Sequence, residues 1–192
     1  MKYDDKLYHN ELGEYLRNLP EQFVILIVST QEKYEYTNVE ILKLLCNEQK
    51  LSGLYITIDH SYEITAKKLS KKGIDTDNLF FIDLITSTQE KIPRRTKNCL
   101  FIPSPKSLTD LGIAIDEAIH SAKNKQKFLF VESVSALLLY NTVGTVKKLE
   151  HFLAVRMRMG GLKGILISLH ERTEMEIIPF LAEFCDKVVK IE

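Results

Sequence analysis

The sequence predicts an α/β fold, a three-layer α/β/α sandwich around a mainly parallel central sheet. Two observations carry that expectation. Short continuous apolar runs recur along the chain: FVILIV from Phe23, LYITI from Leu54, LFFIDL from Leu79, FLFV from Phe128 and GILISL from Gly164. A run without polar alternation is the pattern of a strand buried on both faces. Between these runs lie segments with apolar residues at helical spacing, several with a capping residue in front and a glycine or proline at one end. Strands alternating with helices build a parallel sheet through right-handed crossovers.

Each element has its own signal. Leu7, Leu12, Tyr15, Leu16 and Leu19 predict an amphipathic helix over 4–19, an N-terminal extension that Pro20 stops. Phe23–Val28 is the first strand, and the polar segment Ser29–Asn38 after it has no glycine. The next helix is expected to start near Thr37 or Asn38 and to run through Ile41, Leu42, Leu45 and Cys46. Gly53 opens the second strand, which ends at Asp59-His60. Ser61 then caps a helix that Gly73 closes. Leu79–Leu84 is the third strand, 86–98 a polar loop, and Cys99–Ile102 a short strand. Ser107 caps a helix facing inward with Leu108, Leu111, Ile115, Ala118 and Ile119. After Phe128–Val131, residues 134–140 form a helical turn or two, and 146–159 an amphipathic helix ended by Gly160-Gly161. Strand 164–169, a helix through Ile177, Phe180, Leu181 and Phe184, and strand Lys187–Ile191 complete the expected chain.

Composition narrows the class. At 192 residues the chain suits one domain over 1–192, and a domain of that size buries about 70% of its unfolded surface. Twenty-six basic and 26 acidic residues cancel, which gives no general argument for nucleic acid or an anionic membrane. No run approaches transmembrane length and the N-terminus has no apolar signal region, so the expected location is the cytoplasm. Cys46, Cys99 and Cys185 are widely spaced and are expected to be buried free thiols.

The stretch KFLFVESVS, 127–135, organises the rest. Glu132 stands where an apolar strand stops, and in an open parallel sheet that end faces the ligand crevice. Three stretches together resemble a known family: LYITIDHSYEITAKKLSKKGIDTDNLFFIDL, FLFVESVSALLLYN and GILISLHERTEMEIIPFLAEFCDKVVKI. In order and spacing they are similar to the RecA-like ATPases of the P-loop NTPase fold, and within them to the KaiC-like branch common in archaea. The resemblance covers nearly the whole chain and implies a RecA-like sheet. It also implies a phosphate loop after the first strand, a Walker B acid and a pair of catalytic acids after the second strand.

Carried over residue by residue, the implied site is incomplete. A phosphate loop needs glycines, a Lys for the β/γ-phosphates and a Ser or Thr for Mg²⁺. The matching segment reads STQEKYEYTN, in which Lys33 is the one cofactor-binding candidate and Glu32 and Glu35 flank it. Glu132 matches the Walker B acid, with a bond to backbone donors or a lysine as the alternative to a Mg²⁺ contact. Asp59 and His60 match the catalytic pair, and a histidine cannot act as the second acid. Asp59 and Glu132 are thus the catalytic candidates.

Other constellations compete. Asp59, His60, Glu132 and His170 all follow expected parallel strands, and Glu132, His60 and His170 are metal candidates. Ser168 with His170 lacks the GxSxG elbow of a nucleophile. The basic loop with Arg94, Arg95 and Lys97 has no interleaved aromatic residue for base stacking. The apolar stripe 137–140 suits core packing or contact with another subunit.

The leading reading is a non-catalytic RecA/KaiC-like domain with a degenerate Walker A loop, a pseudo-ATPase. It would act through a protein partner or as a homo-oligomer, with no cofactor expected and no membrane. The alternatives are a weak ATP-binding KaiC-like ATPase with ATP and Mg as cofactors, and a metal-dependent hydrolase on the same scaffold.

Overall fold

The computed structural model describes residues 12–88, 95–121, 127–169 and 177–191. Helix α1 (12–17) precedes β1 (Phe23–Ser29), α2 (Gln31–Leu42) and a π-helical continuation (Lys43–Glu48). Then come β2 (Gly53–Thr57), α3 (Tyr62–Lys71), β3 (Leu79–Asp83), β4 (Cys99–Phe101) and α4 (Leu108–Ser121). The last elements are β5 (Phe128–Val131), α5 (Val134–Leu137), α6 (Val143–Gly160), β6 (Lys163–Leu169), α7 (Ile178–Phe184) and β7 (Lys187–Ile191).

The seven strands form one sheet in the order β4-β3-β2-β5-β6-β1-β7, and every pairing is parallel. From β1 the chain moves through β2 to β3 and β4 in one direction. From β5 it returns through β6 to β7. Strands β2 and β5 are therefore neighbours whose connections leave in opposite directions. The crevice at their carboxyl ends is a topological switch point, where ligands of open α/β sheets bind.

Side-chain alternation along the strands fills two cores. Val24, Leu26 and Val28 of β1 and Leu129 and Val131 of β5 join residues of α4, α5, α6 and α7. Ile25 and Ile27, with Phe128 and Phe130, join residues of α1, α2 and α3. A strand covered on both faces favours apolar residues along its length, and all seven residues of β1, apolar from Phe23 to Val28, and all four of β5 are buried. Gly53 stands opposite Phe128 in the β2–β5 register. A Cβ at Gly53 would lie 2.1 Å from the Phe128 ring, so the close approach of ring and backbone requires glycine.

Two boundaries differ from the sequence-based expectation. Helix α2 starts at Gln31 with Thr30 at its N-cap, not near Thr37 or Asn38, which are both buried within the helix. Tyr34, Thr37, Asn38 and Ile41 recur at i, i+3, i+4 and i+7, so one face of a polar segment packs against the sheet. Helix α6 starts at Val143 rather than 146, because Thr142 Oγ1 accepts the Thr145 N–H at 3.3 Å and caps it there. Gly161, at φ +66°, terminates α6 in the left-handed conformation. Cys46 and Cys99 are buried, Cys185 is half-buried, and all three are free thiols. No helix among the described residues is long and apolar enough to cross a membrane.

Candidate functional site

The residue after β5 inherits that strand's alternation. Phe128, Phe130 and Glu132 point to the same face, toward α2 and α3. Glu132 thereby enters the crevice from below and is 5% exposed. Its Oε1 accepts the backbone N–H of Ile58 at 2.5 Å, the N–H of Asp59 at 2.8 Å and the Thr57 hydroxyl at 2.8 Å. Its Oε2 accepts the Tyr55 hydroxyl at 2.8 Å. Burial raises the Glu132 carboxyl above its usual range, and these donors offset only part of that rise.

Two tyrosines, neither of them a candidate from the sequence, complete the floor. Tyr55, on β2, stacks on Phe130 with ring centroids 5.2 Å apart. Tyr34, from the first turns of α2, donates its hydroxyl to the Glu132 carbonyl oxygen at 2.5 Å and lies 3.2 Å from Asp59 Oδ2. Burial, with Glu132 next, raises both phenols well above their ordinary value, so both are neutral donors. The sequence signal for Tyr34 is its place on the α2 spacing that includes Asn38 and Ile41.

These groups border a pocket of about 380 Å³ between α2, α3 and the sheet edge. From α2 it is lined by Gln31, Glu32, Tyr34, Glu35 and Asn38. Asp59 and His60 line it from the turn after β2, and both side chains are exposed. Lys68 of α3 reaches its wall and pairs with Glu35 at 3.2 Å, while Lys72 pairs with the same carboxylate at 3.6 Å. Glu32 has no ion-pair partner among the described residues. Asn38 is buried, and its Oδ1 has no hydrogen-bond partner among them.

The sequence candidates thus fall in different places. Asp59, His60 and Glu132 converge on one edge, with Asp59 and Glu132 in direct contact. Lys33 lies on the same turn of α2 but is not among the residues lining the pocket, and its backbone N–H bonds the Thr30 carbonyl at 3.2 Å. His170, Arg94 and Pro93 lie outside the described residues. Ser168 is buried. Arg95 pairs with Glu117 at 3.5 Å and lies over the Phe80 ring. Among the described residues no group of three or more His, Cys, Asp or Glu side chains is placed to hold a metal ion.

Asp83, at the end of β3, is another buried carboxylate, with a structural task. It accepts the N–H groups of Tyr62, Ile85 and Thr86 and the Thr86 hydroxyl, and so ties α3 to the following turn.

No family model matches the chain, and no curated protein does. Among solved structures, the chain is similar to the crystal structure of a KaiC-like protein from the hyperthermophilic archaeon Pyrococcus horikoshii OT3. The TM-score is 0.64 at 12% sequence identity, over 91% of this chain and 74% of that one. The seven-stranded parallel sheet is the RecA-like fold of that neighbour. At that identity the likeness concerns the fold, and the site has to be read from its own residues.

Proposed function

We propose that the chain is a non-catalytic RecA/KaiC-like domain that lacks a working phosphate loop. It acts through protein contacts, with itself or with an active relative, as a regulatory or structural subunit. The observation that carries this reading is the junction of β1 and α2, which a single residue, Thr30, accomplishes. A phosphate loop encloses phosphate oxygens in a ring of inward-pointing N–H groups, and glycines make that curl possible. Here the N–H groups of Lys33 and Tyr34 already bond to the Thr30 carbonyl, at 3.2 and 3.0 Å. The anion preference of the helix N-terminus is met by Glu32 in its own first turn.

The pocket chemistry agrees. Polyphosphate oxygens are acceptors, and the wall presents the carboxylates of Glu32, Glu35 and Asp59 with one lysine, Lys68, already paired. Support for protein contacts comes from the segment after α5, where Leu139 is 63% and Tyr140 39% exposed. The test is an ATP hydrolysis assay on purified protein with and without Mg²⁺, beside the Glu132→Gln variant. The expected result is no turnover above the buffer blank. Mg²⁺-dependent hydrolysis that the variant loses would overturn the proposal in favour of a weak ATPase.

A further inference from the structure

We infer that the groove between α4 and α6 docks an acidic amphipathic helix of a partner protein. The first observation is an apolar face that stays open to solvent. On α6, Phe152, Val155 and Met159 recur at i, i+3 and i+7, one row of the helix surface. Val155 is 40% and Met159 76% exposed, and on α4 Ile113 is 51% exposed. Between the two helices lies a groove of about 410 Å³, lined by Leu108, Gly112, Ile113, Leu149 and Phe152. A Cβ at Gly112 would lie 3.2 Å from the Phe152 ring, so α4 has no side chain there to fill the groove. Single exposed apolar residues mean little, but three of the seven large ones among the described residues share this face.

The second observation is the charge around the groove. The charged side chains that α6 turns outward, Lys147, Lys148, Arg156 and Arg158, are all basic, and its one acid, Glu150, is buried. Arg156 pairs with Asp116 of α4 at 2.9 Å, and Arg158 with Asp186 at 3.0 Å. Lys148 lines the groove and has no ion-pair partner among the described residues. A helix with apolar residues at i, i+3, i+4 and i+7 fits a groove of this kind, and acidic residues beside that stripe complement Lys148. The row from Lys148 to Met159 runs about 16 Å, room for three helical turns. The same charges disfavour a second copy as the occupant. A two-fold contact would set α6 against α6, basic row against basic row. A flat anionic membrane would reach Met159 but not the groove floor.

The inference rests on the reading of a protein-contact subunit and states the chemistry of one partner. The probe is a labelled synthetic peptide of about five helical turns, with leucine at i, i+3, i+4 and i+7 and glutamate and alanine elsewhere. A control peptide has lysine in place of glutamate. Fluorescence anisotropy with the full chain should show saturable binding of the acidic peptide below about 1 mM, weakened by added salt, and none of the basic one. The double variant Ile113→Lys/Met159→Lys should weaken the acidic peptide by about tenfold or more. Both side chains are exposed, so this variant should melt like the wild type. Lys148→Glu should also weaken the acidic peptide, and this difference should shrink as salt is added. No binding of the acidic peptide, equal binding of the basic one, or unchanged affinity in the double variant overturns the inference. Two further outcomes overturn it by naming another occupant. One is self-association in sedimentation that the double variant loses, which makes the face an interface between copies. The other is co-sedimentation with phosphatidylserine/phosphatidylcholine vesicles that the double variant loses. Turnover of Mg·ATP would instead overturn the non-catalytic reading, and the peptide titration would still decide this one.

Discussion

Glu132 Oε1 accepts the backbone N–H of Asp59 at 2.8 Å, so the end of β5 is bolted to the turn that follows β2. The position that resembles a metal-binding acid thus serves as a clasp between two neighbouring strand ends. Ile58, Thr57 and Tyr55 supply the remaining donors.

The clasp predicts a graded loss of stability. Glu132→Ala leaves two buried N–H groups and two hydroxyls without their acceptor. At about 1–3 kcal/mol for each unsatisfied buried donor, the variant should lose at least about 3 kcal/mol in urea unfolding. Glu132→Gln keeps one acceptor oxygen for the backbone pair and should lose less than Glu132→Ala. Equal stability of all three proteins would show that the clasp contributes nothing.

Gly53 and Gly144 make a matched pair of opposite sign. At Gly53 a new Cβ meets the buried Phe128 ring at 2.1 Å, so Gly53→Ala overpacks the core and should cost about 1–3 kcal/mol. At Gly144, in the first turn of α6, a Cβ meets nothing within 4 Å. Gly144→Ala should stabilise by up to about 1 kcal/mol. Thermal or urea melts of the two variants check the signs.

Much of the fold is legible in the sequence because its strands are covered on both faces. FVILIV, LYITI, FLFV and GILISL have no polar side to disguise them, and all four are strands where expected. The start of α2 was not legible in the same way. QEKYEY reads as a polar loop because its first turns lie at the sheet edge and expose Gln31, Glu32 and Glu35. The inward spacing of Tyr34, Thr37, Asn38 and Ile41 was available but uses few apolar residues. The site was half legible. Strand-end position puts Asp59 and Glu132 in one crevice, but Tyr34 and Asn38 arrive from α2, whose polar first turns carry little helical signal. The bonding of Glu132 depends on β2 lying beside β5, a tertiary fact.

Glu150 shows how a polar residue can hide in an amphipathic pattern. Val146, Leu149, Leu153, Ala154 and Met157 of α6 are buried, and Glu150 falls on the same stripe. Both its carboxylate oxygens are buried without a partner among the described residues, and burial pushes the carboxyl up to about 8. A carboxyl with a raised folded-state value binds its proton more tightly in the folded protein. Its stabilising effect is therefore present at low pH and is lost as pH rises from the ordinary glutamate range, about 4.3, through about 8. Stability should fall across that window with a slope of about 1.4 kcal/mol per pH unit at most. Glu150→Gln should flatten this dependence and make the protein more stable than wild type above pH 8. A wild-type pH profile identical to that of Glu150→Gln would contradict the assignment.

The central claim is that the β1–α2 junction does not bind phosphate. The most direct measurement is the melting midpoint of the wild-type chain with and without millimolar Mg·ATP, with ADP and Lys33→Ala as controls. A ligand at about 100 times its dissociation constant adds about 2.7 kcal/mol of stability, which a melting curve shows readily. The account predicts no shift with either nucleotide. A clear upward shift with Mg·ATP that disappears in Lys33→Ala would contradict it, because it would mean that the first turn of α2 binds phosphate.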